Sequence, residues 1–288
     1  MMRADIDIGL MSPPRRHRSS FATIQKADRP ERVPTKPLSD GARKHGTKIM
    51  SKMFEELDYR QTPLGTLILR RRHILKLGRD VVEVILNDEH LMSDMFTASE
   101  IALAQLPMER LATKQPDILV GGLGLGYTAE AVLAYSDVQS LTVIEYLAPV
   151  IEWHRDGRLP LGTALADDPR CRLVEGDFFA LARSDTGFDT DRAGRRFDGI
   201  FLDIDHSPDF YLNPSHADFY SDAGLARLSG ALNSGGVFAL WSNDPPHNAF
   251  LDRLTQHFAG ASAEKVTFFN PLLEEDYTQT VYLGMTAS

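Results

Sequence analysis

The 288-residue sequence has a single cysteine, Cys171, so no intrachain disulfide can form and no cysteine-based metal cluster can be built. No apolar run approaches the ~20 residues that a membrane helix needs. The apolar stretches, such as 118–122 and 199–202, have the length of buried strands. Histidines such as His73 and His257 show no H-E-x-x-H spacing, and no metal site is expected. Positive charge is scarce over most of the chain. Residues 1–52 hold twelve Lys or Arg against five Asp or Glu, which leaves −16 on the remainder and −9 overall. An acidic body repels phosphate, so neither nucleic acid nor a membrane surface is an expected partner. A cationic substrate or cofactor suits it better, in a reducing, cytoplasmic setting.

Residues 1–52 carry Pro13-Pro14, Arg15-Arg16, Pro30, Pro34 and Pro37 and few bulky apolar residues. They read as a disordered basic tail, or as sequence upstream of a start at Met50 or Met53. A targeting peptide or a nucleic-acid arm fits less well. From Met53 the pattern changes. Short β-type runs at 57–60, 66–70, 74–77 and 81–86 predict a small β-rich leader over 53–91, whose edge could pair across a homodimer. Met92, Phe96, Ser99, Leu103 and Leu106 share one face at helical spacing, so a helix is expected over 92–106. Thereafter strands at 118–121, 141–145, 172–175, 197–203 and 237–241 alternate with helices at 128–135, 149–155, 223–232 and 250–258. Strands at 266–269 and 280–283 close the sheet. Alternation of this kind predicts an α/β fold with a doubly wound, seven-stranded, Rossmann-like sheet over 92–288.

Four strand ends carry chemistry. Gly121-Gly122-Leu123-Gly124-Leu125-Gly126 follows the first strand of this sheet and opens a helix. Glycines there permit a tight turn and close approach of a ligand to the backbone, although a plain turn would look the same. Glu145, nineteen residues after Gly126, ends the second strand, where a carboxylate can accept from both hydroxyls of a ribose; Tyr146 follows it. Gly176-Asp177-Phe178 follows the third strand. Asp177 suits an adenine amino group and Phe178 the ring itself, while an Asp-capped turn is the plainer reading. Asp203-Ile204-Asp205-His206 follows the fourth, at the sheet edge where ligands of such folds bind, and offers three candidates for a catalytic base.

In this order, and with Leu232-Asn233-Ser234-Gly235-Gly236-Val237, these motifs resemble the class I S-adenosylmethionine-dependent methyltransferase superfamily. Within it, Thr62-Pro63-Leu64-Gly65, the 92–106 helix, the 197–203 strand and Phe219-Tyr220-Ser221 resemble the spermidine/spermine synthase-like group, over about residues 54–285. The resemblance implies that Gly122, Gly124 and Gly126 border S-adenosylmethionine or its decarboxylated form, that Glu145 holds ribose and Asp177 adenine, and that Asp203 faces a small amine acceptor. Spermidine synthases usually place an Asp inside the glycine loop, where this chain has Gly124 or Leu125. They carry D-x-x-D after strand four, where His206 stands three residues after Asp203. Methyl transfer to a small acceptor is therefore the first expectation, with Asp203, then His206 and Asp205, as catalytic groups. Aminopropyl transfer is the second and a non-catalytic nucleotide sensor the third. Asn243-Asp244-Pro245-Pro246 is similar to the motif of nucleic-acid amino-methyltransferases, but it follows strand five and precedes His247, so it reads as a rim loop.

Overall fold

The computed structural model describes residues 53–287. The expected basic tail over 1–52 lies outside the described residues. Strands β1 (Phe54–Thr62), β2 (Gly65–Ile74), β3 (Arg79–Leu86) and β4 (Glu89–Ser93) form an antiparallel sheet in chain order. Because side chains alternate along a strand, Leu67 and Leu69 of β2 fall on one face and are fully buried. Arg70 and Arg72 take the other face and clasp Glu83 of β3, a carboxylate only 1% exposed. Asn87 and Asp88, with φ of 51° and 68°, make the two-residue turn that joins β3 to β4.

Two expectations about this region are corrected. Residues 75–78 form the β2–β3 turn rather than a strand. The helix α1 spans Ala98–Met108, whereas Met92 belongs to β4. Asp94 explains the difference: its side chain accepts from the Val82 amide at 2.9 Å and its own amide donates to the Val82 carbonyl, which keeps the chain extended along β3. Pro107 lies in the last turn of α1, one residue before its end.

The larger sheet is built from β5 (Asp117–Gly121), β6 (Ser140–Glu145), β7 (Cys171–Glu175), β8 (Phe197–Leu202), β9 (Leu232–Ser242), β10 (Ala259–Asn270) and β11 (Glu275–Met285). Its order is β10-β11-β9-β8-β5-β6-β7. The five strands from β9 to β7 are parallel; β11 runs antiparallel to β9 and to β10, so the sheet is mixed at one end. Strand order reverses between β5 and β8, which opens a crevice at the carboxyl ends of those strands. Helices α1, α2 (Tyr127–Leu133), α3 (Ala148–Arg155) and α4 (Ala164–Asp167) pack on one face with Ile118, Val120 and Phe201. On the opposite face, α5 (Phe178–Arg183), α6 (Asp222–Gly230) and α7 (Asn248–His257) pack with Leu119, Ile200 and Leu202. Asn233-Ser234-Gly235-Gly236, which follows the helix expected over 223–232, lies within β9. The register slips there, Phe197 facing Leu232 and Gly199 facing Val237, and this absorbs the extra residues.

Trp153 of α3 joins the two sheets. It is fully buried, and its indole N–H donates to Asp58 of β1 at 2.7 Å. Burial works against ionisation of Asp58, but bonds from Trp153 and Arg60 hold its carboxyl below the usual range.

Candidate active site

The glycine loop leaves β5 and closes on its neighbours. Gly122 has φ +91°, and a Cβ there would stand 2.1 Å from the Asp203 carbonyl oxygen. Its glycine is therefore required by backbone packing at the strand switch point. Gly124, φ +50°, lies under Met92 of β4, whose sulfur would come 3.1 Å from a Cβ. The leader sheet thus roofs the loop. Gly126, φ +94°, packs on His154 and Leu165.

Glu145 sits at the end of β6, 9% exposed. One carboxylate oxygen accepts from the Leu123 amide at 3.0 Å and the other from the Leu147 amide at 2.8 Å. Burial raises its pKa, and these backbone donors oppose the rise. The Gly124 and Tyr146 amides face the same carboxylate, so backbone donors of the glycine loop and of the β6 end surround it. Tyr146, 42% exposed, follows directly. Asp177 caps α5, accepting from the Ala180 amide at 2.9 Å through one oxygen. Phe178 is placed differently from the expectation. At 2% exposure it is core, packed against Phe179, Phe188 and Phe219, and a Cβ on Gly121 would touch its ring. It packs against the end of β5, just before the loop.

Asp203 is the first residue past β8. Register pairs Leu202 with Leu240, so Asp203 and Trp241 emerge side by side on the face covered by α1. The Thr128 hydroxyl contacts both Asp203 Oδ2, at 3.0 Å, and the Glu100 carbonyl oxygen, at 3.2 Å. Burial and then the neighbouring Glu100 charge push the Asp203 carboxyl up to about 7, with the Thr128 bond opposing. Burial also raises Glu100, which accepts from the Ser99 hydroxyl at 2.7 Å. Asp94 is likewise raised by burial. Tyr127, pushed up to about 12 by burial and next by Asp94, lies in the same acidic field, faced by the exposed Arg79. Glu100, Thr128 and Asp94 escaped the sequence reading because each comes from a different element. The only local sign was a hydroxyl in the first turn after the glycines.

Asp205 and His206 stand in different surroundings from Asp203. Asp205, 1% exposed, accepts from the Leu212 amide at 2.8 Å, from His216 Nδ1 at 2.9 Å and from the Tyr220 hydroxyl at 2.8 Å. Its lone pairs are committed to tying together the segment 205–220. His206 stacks on Phe210 with ring centroids 5.1 Å apart, and its carbonyl accepts from the Asn243 amide at 2.8 Å. Asn243 in turn accepts from Gln279 at 2.9 Å and from Tyr277 at 3.3 Å. The Asn243–Pro246 stretch therefore borders the site as a rim. A cavity of about 230 Å³ lies between it and Ser207-Pro208-Asp209. Phe96, Phe268 and Tyr277 form an aromatic row, with centroids 5.1 and 5.9 Å apart.

Solved structures that share this architecture include two spermidine synthases. A spermidine synthase in complex with the transition-state analogue AdoDATO superposes with a TM-score of 0.60 at 18% identity, over 81% of this chain and 74% of that one. The spermidine synthase of Thermotoga maritima gives 0.59 at 18% identity, over 81% and 73%. The chain has the spermidine synthase fold. No protein-family model and no curated protein matches it. In this spermidine synthase-like fold the leader sheet, the glycine loop and the strand-end acids meet at one edge. No helix among the described residues is long and apolar enough to cross a membrane.

Proposed function

We propose that the protein is a transferase that moves an aminopropyl group from decarboxylated S-adenosylmethionine to a small amine. The observation that carries this reading is the set of acids around α2: Asp203 beside Thr128 and Glu100, and Asp94, Glu100 and Glu130 around Tyr127, with the exposed Arg79 as a facing cation. Such a field attracts the tail ammonium of the decarboxylated donor. It repels the carboxylate of S-adenosylmethionine, because like charges in a partly desolvated crevice destabilise one another.

Glu145 at the end of β6 holds the ribose hydroxyls, and Asp177 holds the adenine amino group through the oxygen not used in capping α5. Asp203 orients the incoming ammonium and accepts its proton. With a pKa near 7, it is ionised in a useful fraction at neutral pH and still basic enough to act. The freed amine attacks the carbon next to the sulfonium. A carbon–nitrogen bond forms, the carbon–sulfur bond breaks, and its electron pair leaves on sulfur as methylthioadenosine. Positioning supplies most of the acceleration, because the sulfonium is already an activated leaving group.

Methyl transfer from S-adenosylmethionine is the second reading. It is favoured by Gly124-Leu125, which stand where spermidine synthases usually carry an Asp. Incubation of the enzyme with each donor and a panel of amines, followed by mass spectrometry, separates the two. A product carrying an added aminopropyl group supports the proposal; one carrying an added methyl group replaces it with the second reading.

A further inference from the structure

Beneath the glycine loop lies a histidine that the reaction does not consume. His154 of α3 is 0% exposed. Its Nε2 stands 3.0 Å from the Gly124 carbonyl oxygen. A carbonyl only accepts, so Nε2 carries the hydrogen. Nδ1 is then a bare acceptor, and it is buried with no hydrogen-bond partner. Around the ring stand Gly124, Gly126, Leu161 and Leu165. Cβ atoms built on Gly126 would lie 2.7 Å from His154 Cε1 and 2.6 Å from Leu165 Cδ1. Burial lowers the pKa of the ring, and the Gly124 bond opposes this without reversing it. The ring is therefore neutral and in one tautomer.

An unpaired buried acceptor costs about 1–3 kcal/mol. An apolar side chain of similar size would fill the same space without that cost. What histidine adds is one N–H aimed at Gly124, the glycine that lies beneath Met92 in the middle of the loop. We propose that His154 is a positioning residue of the donor site: its Nε2–H holds the Gly124 carbonyl and so fixes the backbone of 122–126 in the shape that receives the donor. The inference rests on the reading that this loop holds an adenosyl group.

Two variants test it. His154→Leu keeps the volume and removes the donor; His154→Gln restores an N–H of comparable reach. Amide hydrogen exchange over 123–126 reads the loop with no ligand present, and calorimetry with methylthioadenosine reads the site. Exchange at Leu123 and Gly126 should accelerate about tenfold in His154→Leu, and methylthioadenosine should bind about tenfold more weakly, the equivalent of one lost hydrogen bond. The donor KM should rise while kcat and the acceptor KM stay within about twofold, a split that general loosening would not produce. His154→Gln should recover all of these. Unchanged exchange in His154→Leu would overturn the proposal, as would a glutamine variant no better than leucine at equal thermal stability. If the unmodified protein itself fails to bind methylthioadenosine, the functional reading falls, and the exchange comparison still decides whether His154 holds the loop.

Discussion

The Thr128 hydroxyl stands 3.0 Å from Asp203 Oδ2, so a residue of the helix after the glycine loop touches the acid at the end of β8. That bond favours the charged carboxylate, whereas the nearby Glu100 opposes it. The two should therefore move the acid limb of the rate profile in opposite directions. Thr128→Val removes a donor to the charged form and should shift the limb upward by about 1 pH unit or less. Glu100→Gln removes a negative neighbour and should shift it downward. Measuring kcat/KM across pH 5 to 9 checks both, and shifts of the same sign would exclude Asp203 as the titrating group.

Asp203→Asn should reduce kcat by about 10²–10⁴ and leave methylthioadenosine affinity within a few-fold, because it removes proton acceptance and not the adenosine contacts. The same substitution should alter stability in a pH-dependent way. A carboxyl raised in the folded state contributes stability that is complete below its unfolded pKa, near 4, and is lost as pH rises through its folded value near 7. Relative to the unmodified protein, Asp203→Asn should therefore gain thermal stability between pH 4 and pH 8. A stability difference that is flat with pH would place Asp203 in a more solvated setting than the structure gives it.

Tyr220→Phe should cost about 1.5–3 kcal/mol in a urea titration, since its hydroxyl donates to a buried carboxylate. Asp205→Ala should cost more, because it leaves the Tyr220 hydroxyl and the Leu212 amide without their acceptor. Asp205→Asn should lower stability, because the amide presents a donor where three donors converge, while its pH profile keeps the shape of the unmodified enzyme.

Much of this was legible in the sequence. Hydrophobic runs and the glycines placed β5, β6, β7 and β8 to within about two residues, and with them Glu145, Asp177 and Asp203. What stayed hidden depended on partners distant along the chain. Asp205 and Asp203 look alike in a D-x-D string; only the fold shows that Leu212, His216 and Tyr220 saturate one and leave the other beside Thr128. Phe178 follows a promising Gly-Asp pair, yet the side of β5 on which it packs is set by sheet geometry. Met92 fits the helical face of α1, but Asp94, bonded to Val82, holds it in the sheet. Glu100 is one acid on a helix surface until α2 delivers Thr128 to it.

Gly122→Ala should be destabilising by well over the ~1–3 kcal/mol of left-handed strain alone, because its methyl would meet the Asp203 carbonyl oxygen. Gly187→Ala, also at positive φ (+72°) but with open space around it, should cost about 1 kcal/mol. Chemical denaturation of the pair checks the contrast; equal losses would show that the loop backbone does not pack as closely as described.

The most direct test is isothermal calorimetry of the purified full chain against decarboxylated S-adenosylmethionine and S-adenosylmethionine in parallel. An acidic crevice with Glu145 on the sugar predicts saturable binding of the decarboxylated donor, at least about tenfold tighter than its carboxylated parent, with Glu145→Gln weakening both. Tighter binding of S-adenosylmethionine, or no uptake of either compound by folded protein, would contradict the account.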